Sequence, residues 1–261
     1  MRGVLKPALT LLAAVALAAP SSAGAELTQR GDLFISFRGG ILPNALPRDN
    51  QAPIGLRLAG TIRTLSGERP PALRWIRMEL NRGGRIDTAG LPVCPRRRIE
   101  VSTSAQALAA CRGALVGDGE FAARTSFPEQ DTSPADGRIL AFNSRRGGHS
   151  VILAHVYGSE PAPSTRIIVF HIRRPGRGTY GTVLRGHLPV SLNRWGYLRH
   201  ISLHLRRTFT HRGRTRSYIS AACEAPPGFS GATFSFARAS MGFEDGRILG
   251  SVLSRSCKVR R

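Results

Sequence analysis

The chain has 261 residues and a formal net charge of +22, with 38 basic residues against 16 acidic ones. That length suffices for one large β domain or two small ones, and the ordinary apolar content of 41% excludes a chain disordered by composition. All the basic residues except Lys6 and Lys258 are arginine. A GC-rich genome accounts for arginine in place of lysine, but not for the excess of bases over acids. A field of this size attracts polyanions and is screened by salt.

In chain order, the first element is an export signal. Arg2 and Lys6 precede an apolar stretch over residues 9–19, shorter than the roughly 20 residues a membrane helix needs. Pro20 and small residues follow, and Ala23-Gly24-Ala25 fits the small-x-small cleavage rule. The expectation is a signal peptide over residues 1–25 and a mature chain beginning near Glu26, with cleavage after Ala23 as the alternative. No later segment reads as a membrane helix, so the expected location is secreted or extracellular, in association with the cell wall.

The rest reads as strands between Gly, Pro and polar turns. Strands are predicted over residues 33–37, 54–63, 73–80, 138–142, 151–156, 166–173, 182–188, 197–209, 215–222, 233–239 and 247–254. In the third, Ile76, Met78 and Leu80 alternate with Arg77 and Glu79, the period of a half-buried strand. Turns are predicted at Asn81-Arg82-Gly83-Gly84, Arg145-Arg146-Gly147-Gly148, Pro175-Gly176, Pro227-Gly228 and Asp245-Gly246. One short helix is predicted over residues 103–111, opened by a Thr103–Gln106 capping box. Many strands at short spacing indicate an all-β fold, an antiparallel β-sandwich or barrel-like double sheet with this one helix. A single domain over residues 26–261 is expected, and residues 127–137 are the one place where it could divide.

The four cysteines, Cys94, Cys111, Cys223 and Cys257, are an even set in an exported chain and are read as disulfides. Proximity along the chain favours Cys94–Cys111 and Cys223–Cys257 among the three possible connectivities. Neither a C-x-x-C pair nor a histidine at zinc-site spacing is present. A hairpin is expected near residue 211, with Thr210 opposite Arg214 around His211-Arg212-Gly213. That register sets Arg206 opposite Tyr218 and Thr208 opposite Arg216, giving a cationic face with an aromatic in it.

The candidate anion-binding residues are Arg173, Arg174 and Arg177 around the Pro175-Gly176 turn, Arg206, Arg212, Arg214 and Arg216 in the hairpin, and Tyr218. Arg96-Arg97-Arg98 is a third cluster. The planar guanidinium fork donates two hydrogen bonds at once to phosphate or carboxylate.

Other motifs carry less chemistry. Gly228-Phe229-Ser230-Gly231 lacks the spacing of a nucleophile elbow. His200 and His204 share a strand face but lie four residues apart, about 13 Å, too far for one metal. Asp118 with Glu120, and Glu129 with Asp131 and Asp136, read as acidic loops without a calcium-loop pattern. Glu79 and Glu100 are candidates for a hydrolytic carboxylate pair. Arg30-Gly31-Asp32 is a tripeptide with almost no information. No phosphate loop or dinucleotide fingerprint is present, no cofactor or metal is expected, and no groove-reading motif points to specific nucleic acid.

Several stretches carry a resemblance: Gly90-Leu91-Pro92-Val93-Cys94, Ala141-Phe142-Asn143, His155-Val156-Tyr157-Gly158, Tyr180-Gly181-Thr182, Ser217-Tyr218-Ile219-Ser220-Ala221, Cys223-Glu224-Ala225-Pro226 and Phe243-Glu244-Asp245-Gly246. Through these the chain resembles a group of uncharacterised secreted proteins of high-GC actinobacteria. The resemblance implies export and a common fold, and assigns no catalytic or binding residue. The leading functional expectation is a non-catalytic exported protein adhering to anionic cell-wall polymer or polysaccharide. The alternatives are an envelope or carbohydrate-active hydrolase using a carboxylate pair, and a structural or protein-partner-binding module.

Overall fold

The computed structural model describes residues 25–125, 127, 129, 131–189 and 196–260. The expected signal peptide, apart from Ala25, lies outside the described residues. In chain order the strands are β1 (Glu26–Arg30), β2 (Leu33–Leu42), β3 (Ala45–Leu46), β4 (Ala52–Pro53), β5 (Gly55–Thr64), β6 (Leu73–Asn81) and β7 (Gly84–Ile86). A 3₁₀ turn (Arg96–Arg98), helix α1 (Ser104–Cys111) and a second 3₁₀ turn (Arg112–Ala114) follow. Then come β8 (Leu115–Thr125), β9 (Ser133–Arg146), β10 (His149–Gly158), β11 (Ser164–Arg173) and β12 (Tyr180–His187). The chain closes with β13 (Gly196–Leu205), β14 (Thr208–His211), β15 (Arg214–Ser217), β16 (Ile219–Ala221), β17 (Gly231–Phe243) and β18 (Ile248–Val259). The fold is all-β with one short helix.

Thirteen strands form one curled sheet in the order β1-β2-β5-β13-β8-β9-β10-β11-β12-β6-β17-β18-β3. Every pairing is antiparallel except β18 with β3. The sheet curls because alternate side chains on one face must leave water. In β5, Leu56, Leu58 and Ile62 are buried while Arg57 and Arg63 are exposed. Curling brings the far edge back to the start. There Arg255 donates from Nε to the Gly39 carbonyl at 2.5 Å and pairs with Glu26, and Arg247 binds Asp32 at 2.7 Å. Among the described residues no strand ladder joins β18 to β1 or β2, and these side chains close the seam.

The central strand β10 is buried on both faces, so its sequence reads as a nearly unbroken apolar run from Val151 to Val156 instead of an alternation. Ile152 and Ala154 face the interior. Val151 and Leu153 face outward, with Leu140 and Phe142 of β9, and are covered by Cys94, Ile99 and Ala107. This cover includes α1, whose N-terminus carries the capping box: Gln106 N donates to Thr103 Oγ1, and Thr103 N donates to Gln106 Oε1 at 2.9 Å. The Cys94–Cys111 disulfide closes it, and Cys223–Cys257 ties the segment after β16 to β18.

Three sequence expectations are corrected. First, the hairpin pairs Thr210 with Thr215 and His211 with Arg214, leaving a two-residue turn. Arg212 (φ 51°) and Gly213 (φ 71°) both adopt the left-handed conformation such a turn requires. Second, residues 197–209 and 215–222 do not form one long hairpin, so Arg206 does not face Tyr218. Both edges of β13 are occupied by β5 and β8, and β16 pairs instead with β4 and β7. Third, Asp118 and Glu120 lie in strand β8, and Asp136 in β9, not in loops. Gly117 and Gly119 each let β13 approach: a Cβ at Gly119 would lie 2.0 Å from the Ser202 carbonyl.

Candidate anion-binding face

The outer face of β11, β12, β6 and β17 is a sheet surface built of arginine and aromatic side chains. Strand register sets its rows. Arg173, Val183, Glu79 and Arg238 form one row, and His171, Arg185, Arg77 and Ser240 the next. His187, Trp75 and Gly242 form the third. The alternate positions, among them Leu184, Met78 and Ala239, point into the interior, which fixes these rows outward.

Glu79 organises the face. Its carboxylate is almost fully buried, with 6% of its side chain exposed, between Arg238 Nε at 2.5 Å and Arg77 Nη2 at 2.8 Å. The Arg238 hydrogen bond is the main reason the Glu79 carboxyl sits below its usual range; burial opposes it, and Arg77 adds to it. The two arginine side chains as a whole remain 41% and 46% exposed. Arg238 also stacks over Tyr180 at 4.9 Å, and Arg185 over Trp75 at 5.3 Å. Such stacking contributes about 0.5–1 kcal/mol at exposed sites. The Trp75 indole lies flat on Gly242, where a Cβ would sit 2.1 Å from its ring. Four guanidiniums, those of Arg77, Arg173, Arg185 and Arg238, therefore share a rigid surface with one carboxylate.

The cationic surface continues past Arg173. Arg82 holds the turn after β11 through the Gly178 carbonyl at 2.8 Å and the Pro175 carbonyl at 3.3 Å. Arg174 donates to the Ile86 carbonyl at 2.6 Å, and Arg216 pairs with Asp87 at 3.0 Å. The two clusters expected from sequence, around residues 175 and 213, thus meet at β7. Arg177, Arg212 and Arg214 are exposed in or next to the turns of these two clusters.

Two expected members stand apart. Tyr218 is fully buried, and burial pushes its hydroxyl pKa up, so it cannot touch a polymer. Arg206 is exposed beyond β13 and acts on the other side of the molecule, near His204.

That other side carries an open groove of about 1680 Å³ over β2, β5, β13, β8 and β9. Its outward rows are Arg57, His204 and Asp118, then Ala59, Ser202, Glu120 and Arg138, then Thr61, His200, Ala122 and Asp136. His204 titrates below its ordinary value, first from burial and then from Arg206 and Arg57, with Asp118 opposing. His200 Nδ1 lies 3.1 Å from Thr61 Oγ1. The Glu79–Glu100 pair is not assembled: Glu79 is held by Arg77 and Arg238, and Glu100 by Arg96 at 3.2 Å. No group of three or more His, Cys, Asp or Glu side chains among the described residues could hold a metal ion, and no helix among them is long and apolar enough to cross a membrane.

The alternation in β6 already set Arg77 and Glu79 opposite Ile76, Met78 and Leu80. What sequence reasoning missed was the partners: Arg185 and Arg238 lie more than a hundred residues away, and only strand order brings them beside β6. The chain matches no protein-family model, no curated protein and no solved structure.

Proposed function

We propose that this is an exported, non-catalytic protein that adheres to anionic cell-envelope polymer through the arginine–aromatic face of β11, β12, β6 and β17. The observation that carries the reading is the arrangement around Glu79. It fixes two guanidiniums by hydrogen bonding while Trp75 and Tyr180 stack a third and the second of the pair. A prearranged fork donates to phosphate or carboxylate with little loss of side-chain entropy, and exposed aromatic rims suit sugar rings. Arg173, Arg174, Arg177, Arg212, Arg214 and Arg216 would add further cations to this surface. The two disulfides are consistent with an oxidising location.

The test is co-sedimentation of the oxidised protein with purified cell wall, before and after acid extraction of its anionic polymers. Retention that disappears on extraction supports the proposal, and retention that survives it counts against it.

The groove favours a second reading, a carbohydrate-active hydrolase. Asp118 and Glu120 stand two residues apart on one strand face, about 7 Å between Cα atoms, a spacing within reach of a glycosidic carboxylate pair. Release of reducing ends from wall polysaccharide by the native protein, abolished by Glu120→Gln, would establish it; no release by the native protein would eliminate it.

A further inference from the structure

Inside the curled sheet lies a cavity of about 70 Å³. We infer that it is a binding site for a slender neutral apolar ligand, the tip of an alkyl chain. This inference does not rest on the arginine face.

The chemistry of the walls selects the ligand class. The inward-facing residues around the cavity are carbon and sulfur only, among them Met78, Met241, Ile152, Ala154, Phe170 and Leu203. Arg38, Ala59 and Ser202 border it from positions whose side chains belong to the outer face. A void with such walls offers water no hydrogen-bond partner and stays dry. The volume selects the shape. It is several times the roughly 10–15 Å³ that one water needs, yet about half that of an engineered cavity that admits benzene. A ring is excluded, and about two to four carbons of a chain fit.

Two further observations point to use as a site instead of a packing defect. Met78, Phe170, Ile201 and Leu203 occupy inward positions but are only partly buried, so packing leaves this part of the interior unfilled. Apart from Met1, the chain's only methionines, Met78 and Met241, both line the void. Methionine is the flexible apolar side chain that re-forms around a guest. Glycines keep the space open. A Cβ at Gly60 would lie 2.9 Å from Met241 Cε, and one at Gly186 would lie 2.7 Å from the Phe170 ring. Met241 and Phe170 therefore lie back against the sheet and leave the centre empty.

The experiment labels the methionine methyl groups with ¹³C and titrates the oxidised protein with neutral straight-chain alcohols from 1-propanol to 1-hexanol, at low and high salt. The Met78 and Met241 resonances should shift saturably. Affinity should rise about fourfold per added methylene and then level off, and salt should not weaken it. Ala154→Leu fills the void with its own methyl groups and should abolish the shifts while the melting temperature holds or rises. Gly60→Ala, which pushes Met241 Cε into the void, serves as a second variant if the first does not fold. Methyl resonances that respond to no alcohol, or that respond equally in a folded filled variant, would overturn the inference. So would binding that salt weakens, which would belong to the charged surface.

Discussion

Glu79 is the residue on which the outer face depends, and its removal should have two consequences. Glu79→Gln leaves Arg77 and Arg238 without the carboxylate that holds them, and should cost about 1–3 kcal/mol of stability at neutral pH in a denaturant titration. Because the folded carboxyl titrates below its ordinary value, this contribution is present in full above about pH 4.3 and lost as pH falls through the folded pKa. The two proteins should therefore converge in strong acid. Binding should fall as well: Arg77 and Arg238 lose the arrangement that presents their remaining donors, so affinity for a polyanion should drop. Gly242 is a second single point of dependence. Gly242→Ala displaces the Trp75 ring and should cost about 1–3 kcal/mol by overpacking. It should also weaken polymer binding, because Arg185 loses its stacking surface.

At the scale of elements, the cover formed by α1 and its flanking turns packs on the outward side chains of β9 and β10. Its link to β10 runs through His155, which is fully buried, with Nε2 donating to the Ser102 carbonyl at 2.9 Å. Burial holds the imidazole below its ordinary pKa, so it stays neutral in the fold. The unfolded chain takes up this proton more readily. Stability from His155 is thus complete above about pH 6.5 and declines as pH falls toward the folded pKa. Hydrogen exchange in α1 should accelerate over that range, and His155→Gln, which keeps a donor but does not titrate, should flatten the dependence. Replacing Cys94 and Cys111 together by serine should cost about 3 kcal/mol and open the same cover first. This element was legible in sequence, since a capping box is a local signal within residues 103–106. So were the disulfide pairs favoured by proximity. The hairpin at residue 212 was legible as a hairpin but not in register, because the choice between two and three loop residues depends on whether Arg212 accepts a left-handed conformation. The pairing of β13 was not legible at all, since it depends on β5 and β8 claiming both of its edges.

For the whole molecule, the order of thirteen strands decides which arginines meet, and that order is a long-range property. The strand and turn pattern indicated the all-β class and composition the positive field, but 38 basic residues spread along the chain do not say which of them meet. Folding gathers Arg77, Arg185 and Arg238 from three distant strands. It also buries Tyr218, which alternation had set among the cations, and moves Arg206 to the side of the groove. The net charge alone predicts weak, diffuse attraction to any polyanion; the arrangement predicts attraction focused on one face. The direct test is a salt titration of binding to immobilised anionic wall polymer. It would compare the native protein with a triple variant, Arg77→Ser, Arg185→Ser and Arg238→Ser, and with a control of equal charge, Arg124→Ser, Arg145→Ser and Arg146→Ser. Focused binding predicts that native affinity falls steeply with salt, that the face variant binds about tenfold or more weakly at low salt, and that the control stays within about threefold of native. Equal loss in both variants, or binding that salt does not change, would contradict it.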